Sequence, residues 1–133
     1  MEQNDIQELI NHCHEMAEKL LLDQGEFYPL GAYIDIQGEF SYISFHDGDE
    51  FPLSNTVIEN LQNYFEKQLQ EEAIRAYAVT YDSRVTSDDF PDSIDCVTIY
   101  IKHIDFATTT FYYPYRLKNN EIDFYEPWAE HAD

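Results

Sequence analysis

The aromatic residues of this chain decide what it can fold into. Eleven tyrosines, nine phenylalanines and one tryptophan make up 16% of its 133 residues, while twenty-seven acidic residues against seven basic ones give a formal charge of -20 at pH 7. A charge of that size is the mark of a disordered chain only when aromatic and β-branched residues are scarce. Here the hydrophobic fraction is 44%, so there is material for a core. The length is that of one ordinary domain, at which folding hides roughly two-thirds of the unfolded chain's surface. A single domain over residues 1–133 is expected.

The same charge sorts partners. Phosphate backbones and anionic lipid headgroups are attracted by clusters of Lys and Arg. The basic residues Lys19, Lys67, Arg75, Arg84, Lys102, Arg116 and Lys118 never adjoin one another, which argues against nucleic acid and membrane as partners. A basic protein is compatible, because complementary fields speed association. No apolar stretch approaches the roughly 18 residues of a membrane span, and the first residues, MEQNDIQELI, lack the basic and apolar regions of a signal peptide. A cytoplasmic location is expected. The two cysteines, Cys13 in a helical pattern and Cys96 in a strand pattern, lack Cys-x-x-Cys spacing and read as buried thiols.

Periodicity divides the chain. Ile6, Leu9, Ile10, Cys13, Met16, Ala17, Leu20 and Leu21 form the stripe of an amphipathic helix over residues 5–24, with Asn4 and Gln7 as a capping box and Gly25 as its stop. Alternation then predicts two strands joined at a two-residue turn, Gln37-Gly38. A second helical stripe through Val57, Ile58, Leu61, Phe65 and Leu69 starts at a Thr56/Glu59 capping box and ends near Ala73. RAYAVTYDSRV is the third strand, residues 94–103 the fourth and TTTFYYPYRL the fifth, which Asn119-Asn120 turns into a short sixth, EIDFYEPW. Pro114 marks an edge or a bulge in the fifth strand.

This order, α-β-β-α-β-β-β with a final β extension, predicts an α+β two-layer sandwich: an antiparallel sheet of five to six strands with two helices. In topology it resembles the profilin-like group, which includes GAF, PAS and roadblock domains. The resemblance implies that strand five lies beside strand one, in the order 2-1-5-4-3. In residues, FYPLGAYI, RAYAVTYDSRV and PYR followed by FYEPWAE resemble a family of small stand-alone bacterial proteins without an assigned activity. That likeness covers most of the chain, rests on aromatic, proline and glycine positions, and carries no catalytic residue across.

Few residues suggest chemistry. In HCHEMAE, His14 and Glu18 lie one helical turn apart, close enough to grip a metal ion, but the second histidine of a zinc protease motif is replaced by Glu18. Asp47 and Asp49, with Glu50, could wrap a hard cation, yet they lack the spacing and distal glutamate of an EF-hand loop. The acidic stretch TSDDFPD, with Asp88, Asp89 and Asp92, is similarly incomplete. Solvated helix and turn surfaces account for all three. No nucleophile elbow or phosphate-cradling glycine loop occurs, so neither an enzyme nor a cofactor is expected.

The aromatic concentration in the last thirty residues carries more. Adjacent strand residues point to opposite faces, so Tyr112 and Tyr113 cannot enter one core. Either helix one, or the C-terminal segment, covers the second face, or it is a contact surface. Tyr and Trp are enriched at binding hot spots, as is Arg, which nominates Tyr112, Tyr113, Tyr115, Arg116 and Trp128, with Glu121, Asp123 and Glu126 supplying charge. The function expected is a non-catalytic acidic binding protein for a basic protein partner, by analogy of charge and size with immunity-type inhibitors of secreted toxins. The alternatives are a GAF-like or PAS-like small-molecule sensor or carrier, and a homodimer in which a second copy covers the aromatic face.

Overall fold

The first helix is laid down by the leucine and alanine stripe read above. The computed structural model describes residues 2–27, 29–43 and 54–131, and in it α1 (Glu2–Gln24) buries Leu9, Cys13, Ala17 and Leu21 almost completely. The helix runs through Asn4, so the capping box proposed there is not its start. Its end is as expected: Gly25 takes φ +80° and donates its N–H to the Leu21 carbonyl at 2.8 Å.

Strands β1 (Leu30–Asp35) and β2 (Phe40–Ile43) form the hairpin, closed by a three-residue loop rather than two. The Asp35 carboxylate accepts the N–H groups of Gln37 and Glu39, both at 2.9 Å, and Gly38 sits at φ +92° as the bulge residue of this loop class. Helix α2 (Ser54–Gln70) starts two residues before Thr56, so that cap too is displaced. After it come β3 (Ile74–Val85), β4 (Ile94–His103) and β5 (Phe106–Lys118). Asn119 and Asn120, both with positive φ, turn β5 into β6 (Glu121–Phe124). The expected last strand is in fact two, β6 and then β7 (Trp128–His131), each paired with β5.

The result is an α+β sandwich built on one antiparallel seven-stranded sheet, ordered β2-β1-β3-β4-β5, with β6 and β7 sharing the outer side of β5. The expected 2-1-5-4-3 order is corrected: β1 pairs with β3. The reason lies in β3, whose residues Ala76 to Thr80 are buried on both faces. A strand without a wet face belongs in the middle of a sheet.

Face assignment follows the strand period of two. Ala32, Ile34, Ala76, Ala78, Val97, Ile99 and Ile101 point to α1, and their small members let the helix approach. Tyr33, Tyr77 and Val79 point the other way, where α2 brings Val57, Leu61 and Phe65 over the β1–β3 end of the sheet. Helix α2 thus adds a partial further layer and leaves the β5 end of that face to side chains from the strands.

Pro114 lies mid-strand in β5, paired with Cys96 of β4. Its carbonyl accepts the Tyr125 N–H at 2.9 Å on the opposite, outer side. A strand residue's N–H and C=O point the same way, so the donor that proline lacks would also have pointed outward. There the partner of β5 changes from β6 to β7, and residues 125–127 arch away. The expected bulge at Pro114 is thus a break in the outer partner rather than in β5.

Candidate functional site

Two turns meet beside that arch. Between β3 and β4, Ser87 and Phe90 exchange backbone hydrogen bonds at 3.1 and 3.2 Å, which closes a tight turn with Asp88 and Asp89 at its tip. The Phe90 ring meets Tyr125 edge-on, centroids 5.3 Å apart. Trp128, at the start of β7, stacks on Tyr112 at 5.2 Å with the planes 20° apart. Between the turn and the arch runs a groove of about 570 Å³, lined by Ser87, Asp88, Asp89, Phe90, Tyr125, Glu126, Pro127 and Trp128. Asp88, Asp89 and Glu126 are exposed and make no ion pair or hydrogen bond with another described residue. Rings and uncompensated carboxylates therefore face one space.

The nominated residues divide between the faces of the sheet. Tyr112, Arg116 and Trp128 share the face away from α1, with Glu121 and Asp123 on β6 beside Lys118 and Arg116. Tyr113 turns to α1, where His14 packs on it at 4.8 Å and on Phe124 at 4.5 Å. Tyr115 is a correction: at 3% exposure it is a core residue and offers nothing to a partner. Its hydroxyl donates to Asp82 at 2.8 Å. Helix one covers one face of the aromatic strands, whereas the C-terminal segment lies beside β5 within the sheet rather than over its other face; of the nominated set only Trp128 and Glu126 line the groove. Phe90 and Tyr125 were not nominated. The available signal was an aromatic set inside the acidic turn DDFPD, whose carboxylates suggested only a cation loop.

The described metal candidates, His14 and Glu18, do not assemble into a site. Burial lowers the His14 imidazole pKa against the opposing pull of Glu18, and its ring is spent on aromatic contacts. Among the described residues no three His, Cys, Asp or Glu side chains form a group able to hold an ion. Asp47 and Asp49 lie outside the described residues.

Three polar clusters are structural in geometry. Asp5 on α1, with 5% side-chain exposure, accepts from Arg75 at 2.8 Å and lies 3.0 Å from Nε2 of His103, itself 1% exposed. The His103 Nδ1 accepts the Asp105 N–H at 3.0 Å, so Nε2 carries the proton and donates to Asp5. Both ring nitrogens are engaged. Burial pushes the Asp5 carboxyl up, and the hydrogen bonds from Arg75 and His103 outweigh it, leaving the pKa below its ordinary value. Glu66 on α2 is likewise lowered: desolvation is outweighed by bonds from Lys102 at 2.7 Å and Tyr77 at 2.8 Å. Asp82 is raised by burial despite the Tyr115 bond. The Cys13 thiol is pushed up to about 11 by burial, with a weaker opposing pull from Thr80, and so packs as a small hydrophobe.

A second, more apolar cleft of about 610 Å³ lies between α1 and β5, lined in part by Ile6, Ile10, Phe106 and Phe111. No described helix is long and apolar enough to cross a membrane. Comparison with protein-family models, curated proteins and solved structures finds no match to this chain.

Proposed function

We propose that this is a non-catalytic, acidic binding protein whose partner is a basic protein, with an immunity-type inhibitor of a basic toxin as its sharpest form. The observation that carries the reading is the groove at the β3–β4 turn, where Phe90, Tyr125 and Trp128 stand among Asp88, Asp89 and Glu126, carboxylates that no Lys or Arg among the described residues pairs with. Aromatic rings supply contact area at low entropic cost, and carboxylates select the sign of the partner. A net charge of -20 extends that selection over long range at low salt. Capture of a basic partner on immobilised protein tests it. Binding should weaken steeply between about 0.05 and 0.3 M salt as the Debye length shortens; salt-indifferent capture would count against it.

The second reading, a small-molecule carrier, draws on the cleft between α1 and β5. It requires a ligand that raises the melting temperature by mass action and whose effect is lost in Phe111→Ala.

A further inference from the structure

We infer that the groove between the β3–β4 turn and the β6–β7 arch is a seat for an arginine side chain, a specificity that rests on the basic-partner reading and makes it more definite. The argument is one of chemical fit. An ammonium is a compact, strongly hydrated charge, whereas a guanidinium is a weakly hydrated plane that lies on aromatic faces and donates paired N–H bonds to carboxylates. This groove offers both kinds of surface at once. Tyr125, 37% exposed, stands edge-on to Phe90, and Trp128 is backed by Tyr112 in a stacked pair that fixes its plane. Asp88 and Asp89 sit at the tip of a turn closed by reciprocal backbone bonds, so their separation from the rings is set by the hairpin rather than by a floppy loop. The opposite wall is tied down by the Tyr125 N–H bond to Pro114. At about 570 Å³ the space takes one long side chain with its flanking backbone.

Trp128 is the chain's one tryptophan, so its emission reports on this groove alone. The probe is the blocked tripeptide acetyl-Gly-Arg-Gly-amide at low salt, beside the same peptide with lysine and with the neutral isostere citrulline. The arginine peptide should change Trp128 emission saturably, the lysine peptide should bind several-fold more weakly, and the citrulline peptide should not bind. The double variant Asp88→Asn, Asp89→Asn should lose about tenfold in affinity, while Asp23→Asn, Glu71→Gln, which removes the same charge from exposed positions elsewhere, should lose little. Equal responses to arginine and citrulline, or equal losses in the two double variants, would overturn the assignment. If the arginine peptide fails while salt-sensitive capture of a basic protein persists, the seat is wrong and the broader reading stands. If the peptide binds as described and no such capture exists, the seat stands and the broader reading falls.

Discussion

Asp5 ties the start of α1 to the sheet through polar contacts, beside the apolar stripe that buries the helix. It joins the helix to Arg75 and His103, partners 70 and 98 residues away, in a cluster where Asp5 and His103 are buried and Arg75 is partly exposed. Removing the acceptor of two such hydrogen bonds leaves a buried imidazole N–H and a partly exposed guanidinium without their partner and costs about 1–3 kcal/mol. Asp5→Ala should therefore lower stability by that order in urea unfolding at pH 7. Because the folded pKa of Asp5 lies below its ordinary 3.8, its contribution is present above that value and is lost as pH falls through the folded one. Glu66 behaves alike, from 4.5 downward. Asp82 has the opposite sign: its raised pKa makes its contribution complete below 3.8 and lost as pH rises through the folded value. Asp82→Asn, which keeps an acceptor for Tyr115, should thus hold or raise stability at pH 7, and a stability profile from pH 7 to 3 would separate it from Asp5→Ala. None of these pairings was legible beforehand. Local periodicity places Asp5 at the first turn of a helix and His103 at the end of a strand, but long-range contacts between them depend on the strand order.

At the scale of elements, Gly31 shows how closely α2 approaches the sheet. A Cβ at this position would lie 2.7 Å from the Phe65 ring and 3.0 Å from Ile43. Since Phe65 is itself stacked on Tyr77 at 4.8 Å, the ring has little room to retreat. Gly31→Ala should cost about 1–3 kcal/mol by overpacking, measured as a lower denaturation midpoint at unchanged slope; an unaltered midpoint would mean that α2 sits higher than described. Helices and strands were largely readable from the chain, because stripes such as Leu9, Cys13, Ala17 and Leu21 follow from burial of one face. The strand order was not. Nothing local distinguishes a strand buried on both sides from one buried on one side until Ala76, Ala78 and Thr80 are seen as a run opposite Tyr77 and Val79. The split of the last strand escaped for a related reason: its cause, Pro114, acts across the sheet rather than along the chain.

For the whole molecule the charge dominates. Of the described lysines and arginines only Arg75, Arg84 and Lys102 form ion pairs with carboxylates, so most of the negative charge is not matched by a neighbouring Lys or Arg. Such self-repulsion weakens the folded state and is screened by salt. The melting temperature should rise by several degrees between about 0.01 and 0.2 M sodium chloride at pH 7, and a flat or falling trend would show that the carboxylates are compensated in ways not described above. The sign of the surface was legible in the sequence, and two of the residues nominated from it, Trp128 and Glu126, line the groove. Their neighbours Asp88, Asp89 and Phe90 come from a turn nearly forty residues earlier, and only the hairpin of β3 and β4 brings them alongside.

The break opposite Pro114 has a further effect at the border of the sheet. Its outer row of unsatisfied backbone groups is cut into two runs of four residues, and the other border, β2, is no longer than four described residues. Among the described residues neither offers a straight template long enough for a foreign strand to dock and propagate. One absent amide hydrogen thus interrupts the edge of a tyrosine-rich sheet, and Pro114→Val, which restores that donor, should raise the rate of fibre formation followed by light scattering; an unchanged rate would show that the break has no such effect.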